Sequence, residues 1–494
     1  MDRVSRRTLL RTGVGAAAAG AVVAGGPFQG FVALAEGAAR RAPDFRTLRP
    51  IPDLRDGKVR LHLPEGFSYR SFHDTEQPVV LNDGTVLPGR HDGMGAFPGP
   101  GGNSILVRNH EITQTNPPTL AFGPGTPYDR AAGGGTTTVE VKPDGTVVNA
   151  FTSLNGTLYN CAGGVMPWGS WITCEETVNG PDVGPDFTGN SNVPLTQRHG
   201  YIFEVPAGGQ SNRQPIRRAG RFPHEAAVFD EREGILYLTE DNFGFPSGFY
   251  RYLPPRNSMQ LGRIEDGGRL QMLAVEGVRN ADLAATQPER ARYSVTWVDI
   301  NEPDPTFPYT PGQPATTSNN DALQYVSRQG LAQGAARFSR LEGAVVDGNI
   351  VYFTSTQGGG PAEPGPSDTV QGWGNGFGQV WAYEPRLARL SLVFQSPGPD
   401  TLDFPDNITT RGRRNSLVLC EDSSGDNYLR TLLPSGVLRD LALNRLTTAA
   451  GAPRFGDEFA GATFSRDGET LFVNIQASRG ITFAIRGPWT RNGV

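Results

Sequence analysis

The chain has 494 residues, with 64 Gly, 40 Pro, 37% hydrophobic and 19% charged residues, and a net charge of -5. That is too apolar for a disordered chain, so a large folded protein rich in turns is expected, by length alone either two or three ordinary domains or one large all-β domain. The balance of 45 Lys+Arg against 50 Asp+Glu, with no basic run beyond the N-terminus, argues against nucleic-acid binding, and 3 Cys exclude a disulfide scaffold.

The first 35 residues read as an export signal. Ser5-Arg6-Arg7-Thr8-Leu9-Leu10 is followed by an Ala/Gly/Val run from Gly13 to Gly26 and by Ala33-Leu34-Ala35 before Glu36. A twin arginine, a weakly apolar stretch and a small-residue cleavage site describe a substrate of the twin-arginine (Tat) machinery. The run is too short and too rich in Gly for a stable membrane span. Tat carries folded proteins, often around a metal cofactor. Residues 36–494 are therefore expected to form the mature protein, a single domain that works in the periplasm or outside the cell.

Short alternating apolar runs separated by Gly, Pro, Asn and Asp fill that region. Six of them align: NSILVRNHE from Asn103, GSWITCEET from Gly169, GILYLTEDN from Gly234, NIVYFTSTQ from Asn349, NSLVLCEDS from Asn415 and ETLFVNIQA from Glu469. Their starts are 66, 65, 115, 66 and 54 residues apart. A β-patterned unit of this length repeated six times predicts an all-β, six-bladed propeller. The long step holds a helical and loop insertion, about 257–336 between blades 3 and 4, with loose helical spacing from Asp321 to Phe338. Third strands include the run around Phe483 near the C-terminus, where the ring is expected to close.

A small-residue strand precedes each run: HDGMGAF from His91, NCAGGVM from Asn160, HEAAVFD from His224, LEGAVVD from Leu341, PDNITT from Pro405 and FAGATFS from Phe459. Gly and Ala suit an innermost strand, where neighbours crowd the axis. The second positions of these strands are Asp92, Cys161, Glu225, Glu342, Asp406 and Ala460. Four carboxylates and a thiol at one channel mouth would repel strongly unless cations neutralise them. Hard oxygen ligands suit calcium, and a thiol adds a preference for a transition metal such as iron. Taken singly, each acid reads sooner as a turn cap; it is the alignment of five positions that favours ligands.

Arg340, two residues before Glu342, shares its face and is a candidate phosphate ligand or a salt-bridge partner of these acids. Glu458 is an alternative sixth ligand. Asn109, Glu111, Glu175 and Glu240 are weaker candidates. His110 and His224 read as packed or hydrogen-bonded, and Cys174 and Cys420 as core thiols.

NHE at Asn109, NCAGGVMPWGSWITCEE from Asn160, PHEAAVFD from Pro223, RLEGAVVDG from Arg340, EFAGATFSRDGETLFVNIQ from Glu458 and TFAIRGPW from Thr482 resemble the PhoX-type alkaline phosphatases, in a shorter branch. The resemblance implies a Tat-exported propeller with an iron–calcium centre that hydrolyses phosphate monoesters. It implies iron ligands at Cys161, Glu225 and Glu342, calcium ligands at Asp406 and Asp92, and a phosphate-binding role for Arg340. The chain reads Arg-Leu-Glu where the family pattern has Arg-Pro-Glu. A monomer is expected, with a small phosphoester as its partner. Two other readings stay open: a calcium-dependent propeller hydrolase of lactonase type, and a non-catalytic propeller stabilised by calcium.

Overall fold

The computed structural model describes residues 47–362, 373–412, 416–492 and 494. The export segment lies outside the described residues. Among those residues no helix is long and apolar enough to cross a membrane.

The six small-residue runs form the strands His91–Pro98, Asn160–Met166, His224–Asp230, Leu341–Asp347, Pro405–Thr410 and Phe459–Phe464. Each packs against the next, and the sixth packs against the first, so they form a closed cycle around one axis. The strands that follow each run pair antiparallel and step outward. The arrangement is all-β and propeller-like.

Five hydrogen-bonded sheets are described, where six separate ones are expected. The difference arises in the segment read as a helical and loop insertion. It supplies the strands Arg269–Val275 and Arg292–Ile300. The second pairs both with Arg269–Val275 and with Arg389–Gln395, which fuses the sheets of the third and fourth repeats into one of nine strands. Both strands fall outside the six aligned runs, in the long step between the third and fourth. Helix in this segment comprises Ser258–Leu261, Asn319–Leu323 and Tyr325–Gln333, the last of which ends at Gly334 with φ 100°. Such a left-handed residue stops a helix at little cost only as Gly.

The ring closes with residues from both ends of the described chain. Ser68–Phe72 pairs with Ile481–Arg486 as the outer strand of the last sheet. Their apolar faces meet in a core that includes Tyr69, Phe483, Ile485 and Trp489.

Crowding at the axis explains the small residues. A Cβ on Gly93 would lie 2.5 Å from the Ala162 Cα, and one on Gly343 2.7 Å from the Asn407 Cα. On Gly164 it would overlap the carbonyl oxygen of Ala227. Side chains of the second strands tie each inner strand to the next. Asn109 Nδ2 donates to the carbonyls of Cys161 and Ala162, both 2.7 Å. Thr239 Oγ1 donates to the Glu342 carbonyl (2.6 Å) and Thr354 Oγ1 to the Asp406 carbonyl (2.7 Å). Asn474 Nδ2 donates to the Asp92 carbonyl (2.5 Å). Cys174 and Cys420 occupy the matching position in the other two repeats; both are free and buried.

Gly164→Ala is expected to lower the free energy of unfolding by about 1–3 kcal/mol through overpacking against backbone. The fall would be read from the guanidinium unfolding midpoint; an unchanged midpoint would contradict this account of the axis.

Candidate metal centre

Every inner strand carries a register irregularity near its start, for example between His91 and Met94, Asn160 and Gly163, and Leu341 and Ala344. The other three show it between His224 and Ala227, Pro405 and Ile408, and Ala460 and Thr463. An irregularity of this kind takes residues out of the ladder and re-aims their side chains. The residues affected include the second positions of the first five strands, Asp92, Cys161, Glu225, Glu342 and Asp406, whereas Ala460 stays paired with Asn474. Four of the residues just before these strands have left-handed backbones: Arg90 (φ 46°), Tyr159 (49°), Arg340 (42°) and Phe404 (51°). Non-glycine residues hold this conformation only where the surroundings enforce it.

The structure brings four of the five expected metal ligands into two overlapping groups. Ligand atoms of Cys161, Glu176 and Glu225 lie within 4.8 Å of one another, as do those of Glu225, Glu342 and Asp406. Asp92 lies outside both groups. It accepts from Gln476 Nε2 (2.9 Å), which also reaches Glu111 (3.1 Å). Ala460 offers no ligand.

Arg340 lies half-buried among the acids. Its Nη2 donates to Asp241 Oδ2 (3.0 Å) and to Glu342 Oε1 (2.9 Å), and its Nε also faces Asp241. The salt-bridge alternative is thus realised, at the edge of the same cluster. Burial opposes its charge, but Asp241 and Glu342 outweigh this and push its pKa up.

The acids are short of countercharge. Burial pushes the Glu225 carboxyl well up, with Asp406 and Glu176 adding repulsion. Glu342 rises through burial, Asp241 and Asp406, with Arg340 opposing. Asp406 rises through burial, Asp92 and Asp422. Burial and then Glu111 push Asp92 up to about 8. Burial and Glu225 push the Cys161 thiol up. In addition, Glu225 Oε2 is buried and has no hydrogen-bond partner. Buried carboxyl oxygens are normally paired, so this one fits a cation.

Three further acids reach the cluster that the sequence reading did not select: Glu176, Asp241 and Asp422. Each lies two residues after an inter-repeat anchor position, at Cys174, Thr239 and Cys420. Side chains two apart on a strand share a face, so alternation from those positions would have found them. Glu111 occupies the same place after Asn109. The neighbouring candidates point elsewhere. Glu175 binds His199 Nδ1 (2.6 Å) and the backbone nitrogens of Gly200 and Tyr201, and Glu240 binds Tyr250 Oη and the Gly248 nitrogen. Asn109 is spent on its carbonyls and on Trp171. His110 and His224 hydrogen-bond the Gly89 and Gly220 carbonyls. Glu458 is near Asp422, and burial, with Asp422 next, pushes it well up.

Residues 47–151 and 143–478 match the family model described as alkaline phosphatase PhoX. Among solved structures, Pseudomonas fluorescens PhoX in complex with vanadate, a transition state analogue, aligns with a TM-score of 0.61 at 17% identity, over 91% of this chain and 98% of that one. That likeness shows the fold. A gluconolactonase from Xanthomonas campestris aligns at a TM-score of 0.35 and 12% identity, over 84% of this chain and 97% of its own. A Dyadobacter fermentans protein of unknown function reaches 0.43 at 8%, over 85% and 99%. No curated protein sequence matches.

Without cations, carboxyls with raised pKa values contribute stability that is fully present below about pH 4 and lost as pH rises, through about 8 for Asp92. In chelator, the melting temperature should therefore fall between about pH 5 and pH 8, and added calcium should remove most of that fall. A melting temperature indifferent to both would contradict the crowding.

Proposed function

We propose that this chain, a phosphatase belonging to the alkaline phosphatase PhoX family, hydrolyses phosphate monoesters at iron and calcium ions held at the mouth of a six-bladed channel. The carrying observation is the convergence of one thiol and three inner-strand carboxyls, Cys161, Glu225, Glu342 and Asp406, in two groups that share Glu225. The donor set fits the ions. A thiolate with carboxylates suits iron, and carboxylates alone suit calcium. Cys161, Glu225 and Glu342 would hold iron; Asp406 and, through a separate position beside Glu111, Asp92 would hold calcium. Glu176 and Asp241 stand ready to complete these sets. A lactonase-type calcium site would have no use for Cys161.

When bound, the ions supply positive charge for the phosphoryl oxygens. Arg340 is anchored by Asp241 and Glu342, which orients its planar guanidinium at the same place and keeps it charged. It would add charge stabilisation as the equatorial oxygens become more negative. A water oxygen bonds to phosphorus while the ester P–O bond breaks. The leaving oxygen takes the electron pair and a proton, giving orthophosphate and an alcohol. Burial of the surrounding acids lowers the local dielectric and strengthens each of these interactions.

Six blades follow from the six inner strands, with the nine-stranded sheet counted as two blades bridged by Arg292–Ile300. The export reading rests on the twin arginine at Arg6 and Arg7 and the Ala33-Leu34-Ala35 site.

Elemental analysis of the purified protein should find iron and calcium, and Cys161→Ala should lose the iron. Calcium alone, or iron retained in that variant, would remove the thiol from the centre. Glu342→Gln should abolish p-nitrophenyl phosphate hydrolysis while the fold survives. Arg340→Ala should weaken inhibition by phosphate about 10-fold or more, since a charged hydrogen bond contributes roughly 1.5–3 kcal/mol; unchanged inhibition would leave Arg340 a purely structural ion pair.

A further inference from the structure

Beside Glu176, Asp241 and Arg340 the channel mouth opens into a pocket of about 440 Å³, a size that holds a drug-sized molecule. Its walls differ sharply in chemistry. Tyr159, Phe187, Phe243 and Leu323 form an apolar side. Phe187 and Phe243 are 77% and 47% exposed, unusual for aromatic rings that no partner covers. Phe243 also lies under the Arg340 guanidinium, 5.4 Å from Cζ to ring centroid, so the aromatic wall reaches the phosphate end of the pocket.

Amides supply the polar side. Asn179 and Asn242 are each only 1% exposed. Asn179 Oδ1 accepts from Asn319 Nδ2 (3.4 Å), which leaves Asn179 Nδ2 and Asn319 Oδ1 buried without partners. Asn242 Oδ1 and Nδ2 are likewise unpartnered. Buried polar atoms are nearly always paired, so two open donors and two open acceptors around a pocket mark places where a ligand would bond. The charge is one-sided. Among the described residues, the acids Glu176, Asp186 and Asp241 line the pocket with a single cation, Arg340, itself paired.

We propose that this pocket binds the leaving group of the phosphoester and selects a nucleoside. A base has a planar face to lie on Phe187 and Phe243, and an edge with both donors and acceptors for Asn179, Asn242 and Asn319. Asp186, the lining acid outside the metal sets, disfavours further negative charge, so a nucleoside monophosphate is preferred over a triphosphate. A glycerol or sugar phosphate lacks the aromatic face. The assignment rests on the phosphatase reading for its catalytic consequence: water's oxygen bonds to phosphorus, the P–O5′ bond breaks, and O5′ leaves with the electron pair and a proton as the free nucleoside.

The test uses the metal-loaded full chain and two independent readouts. In the first, adenosine binding is measured by calorimetry. Binding should be detectable, and Phe187→Ala, at an exposed ring that the fold does not need, should weaken it about 10-fold, the scale of one lost base–aromatic stack. No binding, or binding indifferent to Phe187→Ala, overturns the pocket assignment whatever the catalytic result. In the second, kcat/KM is compared for adenosine monophosphate, adenosine triphosphate and glycerol phosphate. The monophosphate should lead, and its ratio to glycerol phosphate should fall about 10-fold in Phe187→Ala. Equal turnover of all three esters overturns the selectivity and keeps the phosphatase reading. No turnover of any ester alongside Phe187-dependent adenosine binding would sink the phosphatase reading and keep the pocket.

Discussion

Mutual repulsion of buried acids at one end of the axis is the constraint on which this protein turns. Asp92, Glu225, Glu342 and Asp406 each have raised carboxyl pKa values because they are buried and because they face one another. Arg340 and Arg90 are the arginines paired within this cluster, through Glu342 and Asp241 and through Glu111. Such an arrangement is costly in the bare chain and favourable once cations bind. The same crowding that weakens the empty fold therefore supplies the affinity of the filled one.

Packing and electrostatics meet at single sequence positions. The first strands can approach so closely only because Gly93, Gly343 and Gly164 carry no side chain. That approach lets Asn109, Thr239, Thr354 and Asn474 reach the carbonyls of Cys161, Glu342, Asp406 and Asp92. The backbones of these four site residues are thus held by the preceding repeat, or by the last one for Asp92. A loosened inter-repeat contact would move a ligand, so fold stability and site geometry are coupled through the same bonds. The pairing of Ser68–Phe72 with Ile481–Arg486 then keeps the cycle from opening between the first and last repeats.

The segment between the third and fourth repeats has two roles. Arg292–Ile300 bridges two sheets, and the short helix Asn319–Leu323 leans over the channel mouth, where Asn319, Asn320 and Leu323 line the pocket beside Arg340. A common metal centre can thus be paired with a leaving-group site whose walls come from less regular chain, which is free to vary without disturbing the axis.

The alternation of apolar residues, the six small-residue runs and the acids at their second positions were legible from the sequence alone, because strand period and axial crowding act on local residue choice. So were the packed roles of His110, His224, Cys174 and Cys420. Glu176, Asp241 and Asp422 were missed because only the register with Cys174, Thr239 and Cys420 shows which of two adjacent acids faces the axis; Glu175 and Glu240 turn to His199 and Tyr250 instead. The two strands hidden in the long insertion, the fusion of two sheets, and the capture of Arg340 by Asp241 depend on residues far apart in the chain. Those were decided by tertiary structure, since a hydrogen-bond ladder or an ion pair forms with whatever neighbour the closed ring delivers.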